Sequence, residues 1–75
     1  MRRAHMYTKL QIMGMTDEAA ARRAEQVLRE VQGVEHAEVN LQENTAEVEM
    51  GPHLSAQTLM RALGQAGFGC QPLSS

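Results

Sequence analysis

Aromatic residues and cysteine are scarce in this chain, and their scarcity excludes several classes of protein. Only Tyr7 and Phe68 are aromatic among the 75 residues, so the stacking platform that binds single-stranded nucleic acids is missing. The single cysteine, Cys70, excludes an internal disulfide and favours a reducing compartment such as the cytoplasm. No apolar run approaches the roughly 18 residues of a membrane span. No apolar segment follows Met1-Arg2-Arg3 as it would in a secretory signal.

Net charge is small as well, at -2, which leaves no basic field to hold nucleic acid or an anionic membrane. Hydrophobic residues make up 43% and charged residues 21% of the chain, a balance typical of a globular domain. The core of one such small domain contributes only ~3–5 kcal/mol, so a large enclosed active site is not expected. The pattern holds neither a nucleophile beside a histidine nor a glycine-rich phosphate loop, and we predict no enzymatic activity.

Hydrophobic periodicity begins at Tyr7 and predicts a strand followed by a helix. Leu10 and Ile12 alternate with polar residues, as in a half-buried strand that Gly14 ends. Thr16 is the expected N-cap of a helix from about 17 to 31. The apolar stripe of that helix comprises Ala20, Ala24, Val27, Leu28 and Val31.

The second half of the chain repeats the alternation and ends in another helix and strand. Residues 37–41 and 46–50 alternate apolar and polar side chains around a short polar turn at 42–44, and so predict an antiparallel hairpin. A second helix is expected from about 56 to 66, behind Ser55 as N-cap. Its apolar stripe comprises Leu59, Met60, Leu63 and Ala66. Phe68 and Cys70 then alternate in a last short strand.

The order βαββαβ predicts an α+β fold. It is typical of a ferredoxin-like sandwich, in which a four-stranded antiparallel sheet carries both helices on one face. We expect one domain over 7–72, between a flexible tail at 1–6, native or introduced by cloning, and a short tail at 73–75. Polar side chains of the hairpin then project from the open face of the sheet, namely Glu38, Asn40, Glu47 and Glu49.

A resemblance to a known family rests on short segments spread along the chain. They are Gly14-Met15-Thr16, Val31-Gln32-Gly33-Val34, Ala37-Glu38-Val39-Asn40-Leu41, Ala46-Glu47-Val48 and Ala66-Gly67-Phe68. From Tyr7 to about Gln71 the chain resembles the heavy-metal-associated domain. Members of that family serve as copper chaperones, as amino-terminal domains of heavy-metal-transporting P-type ATPases and as a module of mercuric reductases. The resemblance implies the βαββαβ fold and a partner that is another metal-transport domain or ATPase domain. We expect the protein to be cytoplasmic and to be a monomer or weak dimer.

The resemblance fails at the residues that carry the family's chemistry. Family members hold a soft ion such as Cu(I) on the two thiolates of Gly-Met-Thr-Cys-x-x-Cys, beside a helix N-terminus that helps to keep them ionised. Asp17 and Ala20 stand at the two cysteine positions here. The metal-binding function therefore does not carry over residue by residue, because both thiols are missing.

An altered metal site at the same loop is one hypothesis. Met15 offers a thioether, and Asp17 offers a carboxylate with that of Glu18 beside it. In the family fold the last strand approaches this loop, which brings Phe68 and the thiol of Cys70 near. Such a set suits a divalent ion such as zinc, and Cu(I) only weakly. Structural interpretations stay open: Met15 as a core residue, the carboxylates as first-turn helix residues and Cys70 as a buried inert thiol.

The alternative hypothesis is a regulatory or protein-interaction module that keeps the fold and its docking surface and binds no metal. Arg22 and Arg23, near the start of the first helix, form the expected interaction surface, opposite in charge to the glutamates of the open sheet face. The histidines give a metal site little support, because none pairs with another at ligand spacing: His5, His36 and His53. Met13 is out of phase with the buried residues of its strand, so we expect it to be exposed.

Overall fold

A computed structural model describes residues 6–73 of the chain. The expected order βαββαβ is confirmed. Its elements are β1 (Met6–Met13), α1 (Glu18–Glu30), β2 (Val34–Asn40), β3 (Thr45–Met50), α2 (Ala56–Gln65) and β4 (Gly69–Pro72). His5 and most of the two expected tails lie outside the described residues. Within 6–73, neither helix is long and apolar enough to cross a membrane.

The four strands form one sheet in the order β2-β3-β1-β4, and every neighbouring pair is antiparallel. Leu10 and Ile12 of β1 are at most 1% exposed, whereas Met13 is 51% exposed on the other face, as its phase predicts. The pairing with β1 continues one residue beyond β4, because the Leu73 amide donates to the Lys9 carbonyl. The predicted ferredoxin-like sandwich is therefore confirmed.

The core lies between the sheet and the two helices, where α1 packs on β2 and α2 packs on β4. Each helix contributes two fully buried residues from its predicted apolar stripe. The buried hydrophobic residues are Leu10, Ile12, Met15, Ala24, Leu28, Ala37, Ala46, Val48, Met50, Leu59, Leu63 and Phe68.

Several predicted boundaries need correction. The N-cap of α1 is Asp17 and not Thr16, because Asp17 has extended backbone angles and its side chain accepts the hydrogen bond from the Ala20 amide. Phe68 precedes β4 and is not part of it, since its amide is bonded to the carbonyl of Leu63 at the end of α2. Ser55 is the N-cap of α2 by position, but its hydroxyl pairs with that of Thr58, 3.3 Å away, and caps no backbone amide.

Candidate functional site

The loop between β1 and α1, residues 14–17, is where the resemblance places metal chemistry. Gly14 opens it with φ +101°, a left-handed conformation that a side chain would strain. A Cβ on Gly14 would lie 3.8 Å from the Phe68 ring and 3.9 Å from the Gly67 carbonyl. The end of α2 therefore packs against this loop and brings Phe68 to it, as the family fold implies.

Met15 belongs to the core, with only 5% of its surface exposed. Its carbonyl accepts a hydrogen bond of 3.2 Å from the side-chain amide of Asn44, which also donates to the Leu41 carbonyl at 3.2 Å. This orientation of the Asn44 amide is the one that satisfies both of its ends. Asn44 is the residue of the β2–β3 turn with φ +58°, and its own carbonyl accepts from the Ile12 amide at 2.7 Å. The turn of the hairpin thus holds the loop in place.

Asp17 caps α1 and joins the two positions that the resemblance aligns with the family's cysteines. Its Oδ1 accepts from the Ala20 amide at 2.9 Å, and its carbonyl accepts from the Ala21 amide at 3.1 Å. A carboxylate at this place satisfies an amide that the helix leaves unpaired and also faces the positive end of the helix dipole. The carboxylate of Asp17 therefore serves as the N-cap of α1.

Cys70 lies in β4 opposite Ile12, and its side chain packs against the core. Its Sγ is 3.7 Å from the carbonyl oxygen of Met60 in α2. Burial raises the pKa of the Cys70 thiol above its usual range, which favours the neutral thiol over the thiolate that binds metals.

The three residues proposed as metal ligands thus have separate surroundings: Met15 in the core, Asp17 at the exposed start of α1, and Cys70 against the backbone of α2. Across residues 6–73, no three side chains drawn from His, Cys, Asp and Glu are grouped so that they would hold a metal ion. The family's Cu(I) chemistry depends on two thiolates, and the residues of this loop do not supply them.

Arg23 and Arg22, the predicted interaction residues, differ in their surroundings. Arg23 donates from Nη2 to the Ala66 carbonyl at 3.1 Å, and its guanidinium lies 5.8 Å from the centre of the Phe68 ring. Both contacts join α1 to the end of α2 behind the loop, and the second has the geometry of a cation–π interaction. Arg22 is exposed on α1.

The open face of the sheet carries a concentration of negative charge. Glu38 and Glu47 lie directly opposite each other on β2 and β3. Lys9 reaches Glu47 at 3.9 Å. The pKa of the exposed Tyr7 is raised, first by a hydrogen bond to Glu47 and then by burial and the charges of Glu47, Glu49 and Glu38.

A depression of about 300 Å³ lies on this face beside the hairpin turn. Its lining comprises Glu38, Val39, Asn40, Glu43, Thr45 and Glu47. The Asn40 side chain accepts from the Glu43 amide at 3.1 Å and so fixes one wall. Sequence reasoning placed Glu38, Asn40 and Glu47 on the open face but did not predict the pocket that they line. It also missed the role of Asn44, for which the only signal was the polar turn that joins the two strands.

Comparisons with known proteins agree with this geometry. The family described as "Heavy-metal-associated domain" matches residues 9–69. The structure is similar to that of oxidized MerP from Ralstonia metallidurans CH34, with 25% identity and a TM-score of 0.90, over 95% of this chain and 100% of MerP. The N-terminal domain of a potential copper-translocating P-type ATPase from Bacillus subtilis is 30% identical, with a TM-score of 0.85, over 96% of this chain and 95% of that one. The yeast copper transporter domain CCC2A is 25% identical, with a TM-score of 0.86, over 95% and 97%. No curated protein sequence gives a significant match.

Proposed function

Because the chain belongs to the heavy-metal-associated domain family, we propose that it acts in heavy-metal transport as a protein-contact module whose loop before α1 does not carry the metal. One observation supports this most directly: Oδ1 of Asp17 accepts from the Ala20 amide at 2.9 Å. The two positions that would hold the thiolates are instead linked by a helix cap. A cap stabilises α1, and neither Asp17 nor Ala20 offers a soft ligand for Cu(I).

The proposed partner is another metal-transport domain, such as a domain of a P-type ATPase, met in the cytoplasm. Two structural relatives support this choice, since one is a domain of a potential copper-translocating P-type ATPase and the other a copper transporter domain. A domain that keeps the fold and loses the ligands retains the means to contact such a partner. Such a domain regulates the partner or occupies its docking surface without transferring an ion. It catalyses no reaction itself.

A second candidate function keeps a metal on Met15, Asp17 and Cys70, for zinc or weakly for Cu(I). The exposure of Asp17 favours it, because a carboxylate at the surface is open to a metal from solution. Binding would require Met15 to leave the core and Cys70 to ionise despite its raised pKa. Because both steps cost free energy, we rank this function second.

The paired substitution Asp17→Cys with Ala20→Cys tests the proposal, with Cu(I) affinity measured by competition against a chromophoric chelator under reducing conditions. We expect the affinity to rise by several orders of magnitude, because two thiolates at a helix N-terminus suit Cu(I). The control is Asp17→Ser with Ala20→Ser, in which a hydroxyl keeps the cap and no thiol is added. Equal Cu(I) affinity in the parent and the dithiol variant would contradict the proposal. The lack of two thiols would then not explain why the loop does not carry the metal.

A further inference from the structure

The sheet has two free edges, the outer sides of β2 and β4, and the two differ in length and composition. β4 has four residues and ends in Pro72, whose nitrogen has no hydrogen to donate. β2 has seven residues and no proline, so its edge is long enough to pair with another strand. We propose that two copies of this chain pair through the edge of β2 when the side chain of Arg29, which covers that edge in the monomer, is displaced. No residue of the loop before α1 takes part, so the pairing is independent of the proposed function.

The backbone groups of Ala37 lie on the open side of β2. The Asn44 carbonyl bonds to the Ile12 amide of β1, so the next residue, Thr45, directs its own N–H and C=O towards β2. Thr45 is opposite Asn40, and the direction alternates along β2, so Asn40 faces β3 and Ala37 faces away from it. Ala37 is the middle residue of β2. Its N–H and C=O therefore point to the place that a further strand would occupy.

The side chain of Arg29 covers this middle position. Nη2 of Arg29 donates to the Ala37 carbonyl at 3.4 Å, and the same nitrogen is 2.7 Å from a carboxylate oxygen of Glu25, four residues earlier in α1. A charged side chain over an exposed edge is a common protection against pairing with another chain. The Arg29 side chain is 57% exposed and that of Glu25 is 29% exposed, so solvent weakens the ion pair. The cover therefore limits pairing without preventing it.

The side chains of β2 favour a second copy of the same strand as the occupant of this edge. Two antiparallel copies of β2 with Ala37 opposite Ala37 form two hydrogen bonds between these residues, one in each direction. In that register the exposed His36 of each copy lies opposite the exposed Glu38 of the other, and an imidazole N–H donates to a carboxylate. The neighbouring register with the same hydrogen-bond pattern places Glu38 opposite Glu38, where like charges are destabilising. The edge of β2 is therefore complementary to itself in one register.

Sedimentation equilibrium of the whole 75-residue chain tests the role of Arg29. A bulge between Val34 and His36 shortens the regular part of the edge, so we expect the parent to dimerise with a dissociation constant on the order of millimolar. Arg29→Ala should lower that constant by about tenfold, because pairing no longer displaces a hydrogen bond from a charged group. Arg61→Ala is the control, since it removes the same charge from an exposed residue of α2, which packs on β4 at the other edge. Equal dissociation constants for Arg29→Ala and the parent, or an equal gain in Arg61→Ala, would overturn the proposal.

A double variant tests the register and with it the identity of the occupant. Adding His36→Glu to Arg29→Ala places carboxylates opposite each other twice in the dimer and should raise the dissociation constant by about threefold or more. His53→Glu in the same background is the control, because His53 is exposed in the loop between β3 and α2, and it should leave the constant unchanged. Amide chemical shifts that depend on protein concentration should be confined to β2 and the part of α1 beside it. A dimer unaffected by His36→Glu, assemblies larger than a dimer, or concentration-dependent shifts elsewhere would overturn the proposal, since two edges that pair symmetrically close at two copies.

Discussion

The loop before α1 and the open face of the sheet use their polar groups in opposite ways. In the loop, Asp17 accepts from the Ala20 amide and the Met15 carbonyl accepts from Asn44. On the open face, Glu38 faces Glu47 across β2 and β3, and Lys9 reaches Glu47 at 3.9 Å. The polar groups of Met15 and Asp17 are thus hydrogen-bonded within the fold. The open face instead gathers negative charge, since three glutamates line its pocket.

Phe68→Ala is the substitution expected to disturb the closed loop most. The ring is 7% exposed, a Cβ on Gly14 would lie 3.8 Å from it, and the Arg23 guanidinium lies 5.8 Å from its centre. Removing it should lower the free energy of unfolding by about 3–5 kcal/mol, measured by urea denaturation. Tyr7→Ala is the control, because the other aromatic ring is 54% exposed on the open face. Similar losses for the two variants would contradict the picture of a loop anchored by Phe68.

Asp17→Ala tests the cap itself. The variant loses the acceptor for the Ala20 amide and should be less stable by about 1 kcal/mol, while Asp17→Ser should retain most of the stability because serine also caps helices. Urea denaturation of the three proteins measures the difference. If alanine and serine behaved alike, the carboxylate would not be acting as a cap, and its availability as a ligand would have to be reconsidered.

Glu38→Gln should stabilise the fold, unlike the substitutions of Phe68 and Asp17. Neutralising one of two carboxylates that face each other across β2 and β3 should raise the free energy of unfolding by about 0.2–1 kcal/mol. Glu35→Gln should change it by less. A destabilised Glu38→Gln would mean that this glutamate supports the sheet.

The smallest expected effect concerns the ionisation of Tyr7. Its pKa lies above the ordinary 10.0, chiefly because Glu47 accepts the phenol hydrogen. The protonated phenol is thus favoured in the folded state, a preference present below the ordinary pKa and lost as the pH rises through the folded one. Glu47→Gln should lower the pKa towards its ordinary value, as followed by the ultraviolet absorbance of the phenolate. An unchanged pKa would contradict the negative potential assigned to this face.

The fold was predictable because hydrophobic periodicity and turn-forming residues can be identified from short stretches of sequence. Leu10 and Ile12 alternate with polar neighbours, and the helix stripes recur at helical spacing, so the order of elements followed from the sequence. The start of α1 was wrong by one residue, because Thr16 and Asp17 are both good caps and only backbone angles distinguish them. Phe68 was misplaced in the last strand for a similar reason: a tertiary contact of its amide with α2 decides where that strand begins.

The candidate site was less predictable than the fold, since its contacts join residues far apart in sequence. The resemblance aligned Asp17 and Ala20 with the family's two cysteines, but the hydrogen bond between these residues could not be predicted. Asn44 reaches Met15 across the sheet, and nothing in a polar turn indicates which loop it will touch. The pocket at Thr45 depends on strand register, which places Glu38 opposite Glu47 only once the hairpin is formed.

The most direct test of the account is an amide chemical-shift titration of the reduced 75-residue chain with Cu(I) and, separately, with Zn(II). We expect no saturable shifts at residues 15–18 and 68–70, because Asp17 caps α1, Met15 is buried in the core and burial favours the neutral thiol of Cys70 by raising its pKa. Saturable shifts confined to these two segments with either ion would contradict it and would assign the metal to Met15, Asp17 and Cys70.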